Sequence, residues 1–401
     1  MVWRIAKRQQ TMKQGWEIKK LGEVCTIERG GSPRPIQNYL TEADDGINWI
    51  KIGDATEGSK HITSTKEKIK PEGMKKSRFV HKGDFILSNS MSFGRPYILA
   101  VDGCIHDGWL VIHDNDNRFD KNYLYYYLGS PNIYTEFKRL AVGGVVNNLN
   151  SELVRNVKVC IPPLVEQEKI VAELDCLSGI IEKKKQQLKE LDALAESIFY
   201  TMFGDPITNE KGWEVKKLGE VCIVERGGSP RPIQAYMTDD ENGINWIKIG
   251  DATDGGMYII STKEKIKPEG AKKSRFVHKG DFLLSNSMSF GRPYIMAVDG
   301  CIHDGWLVLR DNNNTFNKCY LYYLLGNSNT YCEFKRLAVG GVVNNLNSEL
   351  VRGVRVSIPP LTLQQEFASK IEAIEKQKEL IKQSITETEE LFNSRMDYYF
   401  N

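Results

Sequence analysis

The 401-residue chain contains one unit of about 200 residues twice. Shifting the chain by 197 positions aligns residues 16–164 with the second copy without a gap, so that Trp16 falls on Trp213. Between Ser64 and Leu110 only three positions differ from the second copy. Short solenoid repeats are roughly 20 to 50 residues long, so a unit of this size is a duplicated domain with its connector. The chain therefore has to fold as two copies of one architecture.

Each copy begins with a segment whose pattern predicts a globular α+β module. Short apolar runs such as Ile47–Ile52 and Asp84–Ser88 alternate with turns rich in Gly, Pro and Asp. Two further runs, Lys121–Leu128 and Asn132–Leu140, predict helices. The Pro162-Pro163 step ends the module, because consecutive prolines favour extended backbone and cannot continue a helix.

A long helix follows each module. After Leu164 apolar residues recur at alternating spacings of four and three, interrupted where Lys184 occupies the stripe. This spacing predicts a coiled coil in which the two helices are partners; the alternative is an amphipathic helix lying on its own module. The stripe consists of Ile170, Leu174, Leu177, Ile181, Leu188, Leu191, Ala195 and Ile198 in the first copy, and of Phe367, Ile371, Ile374, Ile381, Ile385 and Phe392 in the second.

The resulting organisation alternates modules and helices. We expect the two helices to pair antiparallel, which gives an α+β fold with pseudo-twofold symmetry. A helix of about 36 residues spans roughly 54 Å, enough to separate two sites one turn of B-DNA (~34–36 Å) apart. In chain order the segments are an N-terminal tail (1–14), the first module (15–163), the first helix (164–203), a linker (204–211), the second module (212–360) and the second helix (361–401).

Bulk composition excludes several classes of protein. The first residues carry Arg and Lys but no apolar run, so no signal peptide is expected, and no stretch approaches the roughly 18 apolar residues of a transmembrane helix. Eight scattered cysteines without a CxxC pair predict reduced thiols in a cytoplasmic protein. The formal charge of +2 does not by itself indicate a nucleic-acid partner.

Local charge is more informative. Residues 60–95 hold nine Lys and Arg against three acidic residues, and residues 263–292 hold eight against three. Such a strip can neutralise DNA phosphates, although a solvated surface explains it equally well. Arg can bind guanine, and Asn or Gln can bind adenine, so polar residues near the basic strip and the glycine-rich turns are candidate DNA contacts. These candidates are Arg29, Arg34, Gln37, Lys51, Lys75, Lys76, Arg78, Ser88, Asn89, Ser90, Arg95, Asn147 and Asn148 in the first copy, and Arg226, Arg231, Gln234, Lys248, Lys272, Lys273, Arg275, Ser285, Asn286, Ser287, Arg292, Asn344 and Asn345 in the second.

No segment predicts an enzyme active site. The run Gly53–Lys60 resembles a phosphate-binding loop, but its lysine is displaced and the second copy lacks it. The Pro162-Pro163 pair lacks the flanking polar and aromatic residues of an amino-methyltransferase motif. For His106, beside Asp107, a hydrogen-bonded structural or DNA-contacting role is favoured over a base or a metal ligand. We expect no catalytic residue and no metal site in this chain.

Together these features resemble the specificity (S) subunit of type I restriction–modification systems over essentially the whole chain. The resemblance rests on Gly22-Glu-Val24 at the start of the module, on Trp49–Asp54, and on the step Ile161-Pro-Pro-Leu-Val-Glu-Gln167 into the long helix. The same layout recurs in the second copy. There the junction continues as Leu361-Thr-Leu-Gln364-Gln365, a small departure from the family's element.

The resemblance implies two target-recognition domains joined by two conserved antiparallel helices. Each domain would read one half of an interrupted site in double-stranded DNA. The helices would set the spacer and bind two methyltransferase (M) subunits and, through them, restriction (R) subunits. S-adenosylmethionine, ATP and Mg would belong to those partners, and this chain would hold no cofactor.

The near-identity of the two domains leads to one further hypothesis. Members of this family usually carry two unlike domains, whereas two nearly identical and inverted domains predict an interrupted palindrome. Differences between the copies concentrate in residues 57–63, 111–122 and 128–135, which resemble loops and one helix face. The alternative is a scaffold that does not bind DNA, with two ligand- or protein-binding modules on a coiled-coil spacer.

Overall fold

The chain folds as two units, each with one module and parts of both long helices. Unit 1 comprises Met1–Lys184 and Ser384–Asn401, and unit 2 comprises Lys185–Gln383. The computed structural model describes residues 15–56, 58–90, 93–141, 149–252, 256–286, 291–311, 313–338 and 346–401. The predicted tail, 1–14, lies outside the described residues.

The module of unit 1 contains twelve strands and five short helices within its described residues, and the first long helix follows it. The strands are β1 (Glu17–Lys20), β2 (Cys25–Arg29), β3 (Leu40–Thr41), β4 (Ile47–Ile50), β5 (His61–Ile62), β6 (Glu67–Ile69), β7 (Arg78–Val80), β8 (Phe85–Ser88), β9 (Pro96–Leu99), β10 (Gly103–Ile105), β11 (Trp109–Asp114) and β12 (Lys158–Ile161). The helices are α1 (Leu21–Val24), α2 (Pro71–Met74), α3 (Lys121–Leu128), α4 (Pro131–Ala141), α5 (Ser151–Arg155) and α6 (Leu164–Phe203).

Two five-stranded sheets form the body of the module. The inner sheet has the order β2-β11-β8-β9-β5, and the outer sheet has the order β3-β6-β4-β10-β7. In the inner sheet β11 pairs antiparallel with both β2 and β8. A separate antiparallel pair joins β1 to β12, which brings the two ends of the module together.

Strands β8 and β11 are apolar at nearly every position because the inner sheet is covered on both faces. Successive side chains of a strand point to opposite faces. Accordingly Leu87 and Leu110 lie in the core shared with the helices, whereas Ile86 and Val111 lie in the core between the two sheets. All four side chains are fully buried.

The second face of the outer sheet carries a smaller apolar cluster. Trp49, Ile69 and Cys104 are buried there, and Ile36 and Leu40 from the segment that follows β2 pack against them. This segment is therefore held on the outer sheet, where its polar side chains are available at the surface.

The helices of unit 1 pair antiparallel. Arg395 donates to Glu173 at 2.8 Å, and the Lys184 ammonium donates to the Ser384 hydroxyl at 2.5 Å, so residue numbers fall along one helix as they rise along the other. Near the end of the second long helix, Phe400 packs against Tyr123 of α3 with ring centroids 5.7 Å apart. The helices therefore pair with each other and also pack on the module, which combines both alternatives considered for the apolar stripe.

Unit 2 repeats the same module. Its strands are β13 (Glu214–Lys217), β14 (Ile223–Arg226), β15 (Met237–Thr238), β16 (Ile244–Ile247), β17 (Tyr258–Ile259), β18 (Glu264–Ile266), β19 (Arg275–Val277), β20 (Phe282–Ser285), β21 (Pro293–Met296), β22 (Gly300–Ile302), β23 (Trp306–Arg310) and β24 (Arg355–Ile358). Its helices are α7 (Leu218–Val221), α8 (Pro268–Ala271), α9 (Lys318–Gly326), α10 (Ser328–Ala338), α11 (Ser348–Gly353) and the long α12 (Leu361–Phe400). The sheet orders match those of unit 1, β14-β23-β20-β21-β17 and β15-β18-β16-β22-β19.

The helix pair of unit 2 is antiparallel as well. The ammonium of Lys378 on α12 lies 2.8 Å from Asp192 on α6, and Phe367 packs against Phe199 at 5.7 Å between ring centroids. The stripe is buried where it meets the module, as at Ala195, and only half-buried between the two helices, as at Leu188. A pair of helices encloses less volume than a packed module, which explains the difference.

The predicted helices of the module are confirmed: α3 spans Lys121–Leu128, and α4 includes Asn132–Leu140. The predicted strand Ile47–Ile52 ends earlier, at Ile50, because a 3₁₀ turn begins at Ile52. Within the described part of the chain, no helix is both long and apolar enough to cross a membrane.

Candidate nucleic-acid interface

The segment after β2 forms one wall of a groove on the outer sheet of unit 1. The groove has a volume of about 850 Å³. Its floor includes the buried Trp49, and the peptide bond between Arg34 and Pro35 is cis. The lining residues are Ser32, Pro33, Arg34, Pro35, Ile36, Gln37, Leu40, Trp49, Lys51, Glu67, His106 and Asp107.

Asp107 holds this groove together. Its carboxylate accepts a hydrogen bond from the Ser32 hydroxyl at 2.8 Å and pairs with the Arg34 guanidinium at 3.4 Å. Its backbone carbonyl accepts from Arg29 Nε at 2.9 Å and from Asn89 Nδ2 at 3.0 Å. Burial raises the pKa of the Asp107 carboxyl, but the hydrogen bond from Ser32 and the nearby positive charges outweigh it, so the pKa lies below its ordinary value. Asp107 is therefore ionised, and it connects four side chains around the groove.

His106 is a structural residue of the groove. The N–H of Ile52 faces its Nε2 at 3.3 Å and the N–H of Gly108 faces its Nδ1 at 2.6 Å. Burial lowers the pKa of His106, Asp107 opposes that effect, and the net shift is downward. A neutral imidazole has one acceptor nitrogen, so one of these contacts at a time is a hydrogen bond. This arrangement agrees with the structural role favoured by the sequence.

Three of the predicted DNA contacts line the groove together. Arg34 and Gln37 are exposed at its rim, and the Arg34 side chain is 81% exposed. Lys51 is partly buried, and its ammonium is paired with Glu67. Within the described part of the chain the Gln37 amide has no hydrogen-bond partner. Arg34 and Gln37 are thus the side chains best placed to bind a molecule that enters the groove.

The other predicted basic contacts are divided between exposed and engaged side chains. Lys75 is exposed, and Lys76 is exposed with its ammonium 2.6 Å from the Tyr39 hydroxyl. Arg78 pairs with Glu28 at 2.9 Å and donates to the Arg29 carbonyl at 3.0 Å, which fixes it against β2. Arg29 itself is exposed, although its Nε is bound to Asp107.

Unit 2 reproduces this site. Asp304 accepts from the Ser229 hydroxyl at 2.7 Å, pairs with Arg231 at 3.7 Å, and its carbonyl accepts from Arg226 Nε at 3.0 Å. Among the twelve positions that line the groove of unit 1, eleven carry the same residue type in the second copy, the exception being Leu40. The remaining predicted contacts keep their counterparts: Gln234, Lys272 and Lys273 are exposed, the Lys248 ammonium is paired with Glu264, and Arg275 with Glu225 at 2.8 Å.

Four predicted contacts are wrong, because their side chains are buried. Ser88 is 1% exposed and Asn89 is 3% exposed, and in the second copy Ser285 and Asn286 are 2% and 3% exposed. Strands β8 and β20 end in the middle of a sheet covered on both faces, so their last residues cannot reach a base edge. Ser88 instead accepts a hydrogen bond from the Arg95 backbone N–H at 2.9 Å.

The remaining candidates are not brought into the groove by the described structure. Ser90 is half-buried, and Arg95 and Arg292 are exposed outside the groove. The predicted contacts Asn147, Asn148, Ser287, Asn344 and Asn345 lie outside the described residues.

The basic run 60–95 does not form one continuous surface. The Lys60 ammonium lies 2.5 Å from Asp175 on α6 and 4.7 Å from the centre of the Tyr126 ring. The side chain is only 19% exposed. Lys60 therefore fastens the module to the helix, and the linear density of charge overstates the positive surface available to DNA.

Two features of the site were not predicted from sequence. Asp107 was considered only as a neighbour of His106, although its four contacts organise the groove. The close packing of Gly30 is the other: a Cβ there would lie 2.2 Å from the His106 carbonyl oxygen, so the turn approaches another part of the module at this position. No sequence signal singles out Asp107, because nearly every residue between Ser64 and Leu110 recurs in the second copy.

Comparisons with known proteins agree on one family. The model of the type I restriction modification DNA specificity domain matches the chain twice, over residues 13–193 and 210–390. The putative type I restriction enzyme MjaX specificity subunit of Methanocaldococcus jannaschii is 23% identical over 397 residues, covering 90% of this chain and 87% of that protein. The MjaIX specificity subunit of the same organism is 26% identical over 387 residues, covering 90% and 86%. A solved structure from work on assembly and conformational transition of the type I R-M system shares the fold with a TM-score of 0.63 at 21% identity, covering 97% of this chain and 98% of the other.

Proposed function

The chain belongs to the type I restriction modification DNA specificity family, and from this membership we propose that its two modules read the same half-site of an interrupted DNA palindrome. The observation that carries the proposal is the repetition of the groove, with eleven of twelve lining positions unchanged and the Asp107 contacts repeated around Asp304. Identical recognition surfaces bind identical base sequences.

The helices support opposite orientations of the two half-sites. In unit 1 the beginning of α6 pairs with the end of α12, and in unit 2 the beginning of α12 pairs with the end of α6. The two copies thus exchange roles in their helix pairs, which supports half-sites that run in opposite directions. One half-site would then lie on each strand, and the helices would set the length of the spacer.

In this proposal the partner subunits carry out the catalytic steps. Two M subunits would bind the helices and transfer the methyl group of S-adenosylmethionine, while R subunits would use ATP and Mg. The pair His106 and Asp107 is engaged in the structure of the groove, since Asp107 is bound to Ser32 and Arg34 and His106 faces backbone N–H groups. We therefore assign the chain a non-catalytic role in a cytoplasmic complex.

A gel shift at two salt concentrations separates this function from that of a scaffold that does not bind DNA. The chain is co-expressed with its M subunit, and the complex is titrated with genomic DNA fragments at about 50 and about 200 mM salt. Binding through six to ten phosphates predicts a loss of affinity of about 10³- to 10⁵-fold. Absence of any shift at the lower salt would refute the proposal.

Replacing exposed lysines tests the contacts with DNA phosphates directly. Lys75→Gln together with Lys272→Gln should reduce the slope of log affinity against log salt by about one for each phosphate that the variant no longer neutralises. Lys184→Gln, on α6 and not among the residues that line the groove of unit 1, should leave the slope unchanged.

A further inference from the structure

The Arg34 guanidinium is exposed and yet held in place. One of its amino groups lies 3.4 Å from Asp107 Oδ2, while the side chain is 81% exposed. The backbone around it is anchored by Ser32, whose hydroxyl binds the other oxygen of the same carboxylate. A free arginine loses rotamer entropy when it binds a ligand, and an arginine that is already held on one side loses less of it.

The charge around Arg34 favours a base edge over a phosphate. The Asp107 carboxylate is ionised, because its pKa lies below the ordinary value through the Ser32 hydrogen bond and the nearby charges, which outweigh burial. Arg34 and Asp107 carry opposite charges, with Arg29 adding one positive charge beside them, so a phosphate that approaches Arg34 also meets the negative charge of Asp107. A guanine edge is uncharged and offers two acceptors, O6 and N7, at the spacing of an arginine fork.

The exposed lysines contrast with this pair. Lys75 stands on the surface without a partner in the described residues, which suits a phosphate contact. The chain therefore separates two kinds of basic side chain, one free and one positioned by a carboxylate. The same separation occurs in unit 2, where Arg231 lies 3.7 Å from Asp304 and Lys272 is exposed.

We propose that Arg34 and Arg231 each read one guanine of the corresponding half-site, and that Asp107 and Asp304 are positioning residues for them. This inference rests on the proposed function, since it names the base-reading side chain of the same groove. One arginine therefore recognises one defined base position in each half-site.

Single-copy substitutions test the proposal with the second copy as an internal control. The complex carrying Arg34→Ala is expressed in cells that lack other methyltransferases of this class, and the methylated motif is sequenced. Preference for guanine should fall by about 10- to 100-fold at one position of one half-site, while the other half-site keeps its sequence. Arg231→Ala should give the same altered motif, because the wild-type site is symmetric. A uniform loss of methylation with an unchanged motif would show a phosphate contact and overturn the proposal.

Asp107→Asn tests the positioning role. The amide keeps the size of the carboxylate and can still accept from Ser32, but it removes the charge that holds Arg34. Preference should relax at the same position as in Arg34→Ala and to a smaller extent, with a melting temperature within a few degrees of wild type. Arg34→Lys should restore part of the preference. Relaxation at a different position, or none in Asp107→Asn, would overturn the assignment.

The controls keep this inference distinguishable from the proposed function. Lys75→Ala should lower methylation of the whole site without altering base preference at any position. A wild-type motif that is symmetric, combined with no effect of Arg34→Ala, would refute the arginine assignment alone. Two unlike half-sites in the wild-type motif would refute the palindrome before any variant is compared.

Discussion

The side-chain oxygen of Gln167 accepts a hydrogen bond from the backbone N–H of Asp120 at 2.8 Å. The Gln167 amide nitrogen donates to the carbonyl oxygens of Arg118 and Pro162, both at 2.8 Å, and the side chain is fully buried. One amide in the first turn of α6 therefore fastens this helix to the module through three backbone groups.

Gln364 repeats the arrangement at the start of α12. Its oxygen accepts from the Asn317 N–H at 2.7 Å, and its amide donates to Thr315 and Pro359 at 3.1 and 2.9 Å. The glutamine of this junction thus keeps its spacing from the preceding prolines. The departure in the second junction lies on either side of this glutamine, where Leu363 replaces Glu166 and Gln365 replaces Glu168.

Gln167→Leu should lower the free energy of unfolding by about 3 kcal/mol, because three backbone groups lose their partner in a buried place. Glu168 is the next residue of α6 and is exposed, so Glu168→Gln is the matched control and should change stability by less than about 0.5 kcal/mol. Denaturant unfolding measures both. Equal stability of Gln167→Leu and wild type would contradict the role of this amide.

The two lysines in the helix pairs should respond in opposite directions to replacement by leucine. Among the described residues the Lys184 ammonium binds uncharged groups alone, the Ser384 hydroxyl and carbonyl and the Thr388 hydroxyl. Lys184→Leu should therefore stabilise the protein by about 1 kcal/mol, since it extends the apolar stripe and Thr388 still donates to Ser384 at 2.6 Å.

Lys378 is different because it lies between Asp192 at 2.8 Å and Glu375 at 2.7 Å and is 8% exposed. Burial lowers its pKa, but the two carboxylates outweigh burial and raise it overall. Lys378→Leu should lower the melting temperature, because it leaves two carboxylates beside each other. Thermal unfolding of both leucine variants measures the contrast, and shifts of the same sign would contradict this explanation.

Replacing Asp175 should destabilise the protein more than replacing Lys60. Lys60→Met, which introduces the residue found at the matching position 257, should cost about 1 kcal/mol because a partly exposed ion pair is lost. Asp175→Ala should cost more, because Asp175 also accepts from the Tyr126 hydroxyl at 2.5 Å. Chemical denaturation at low and high salt measures both variants. The reverse ranking would contradict the two-partner role of Asp175.

The free energy of unfolding should decrease as the pH is lowered, because of His106 and His303. Burial lowers the pKa of both rings; Asp107 and Asp304 oppose it, and Lys51 and Lys248 add to it. The unfolded chain then binds more protons than the folded chain below about pH 6.5, so the free energy of unfolding decreases as pH falls through that window, by at most about 1.4 kcal/mol per pH unit and ring.

The double variant His106→Asn with His303→Asn should lose this part of the pH dependence. Its melting temperature should change less than that of wild type between pH 7.5 and pH 5.5. The exposed histidines are present in both proteins, so their contribution cancels in the comparison. An identical pH dependence would contradict the burial of neutral imidazoles at these positions.

The sequence alone predicts those helices whose start or apolar pattern is set by residues close together in the chain. The proline pair before α6, the periodic stripe behind it and the apolar run Lys121–Leu128 each depend on neighbouring residues, and the structure contains each of these helices. The pairing of β2 with β11 was not predictable in this way, because its partners are about 80 residues apart and the sheet order depends on packing between layers.

The site was predictable by residue type but not by placement. Arg34 and Gln37 are exposed on a turn and stay candidate DNA contacts, whereas Ser88 and Asn89 lie at the end of a strand that is buried on both faces. The role of Asp107 needs three segments brought together by the fold. The repeat does not point to it, because nearly all of its neighbours along the chain recur as well.

Methylation sequencing of DNA from cells that express the wild-type complex tests the central claim, that two nearly identical modules read one half-site in opposite orientations. We expect a single interrupted motif whose second half is the reverse complement of the first, with a methylated base in each half. Two unrelated half-sequences, or the same half-sequence repeated in one direction, would contradict it.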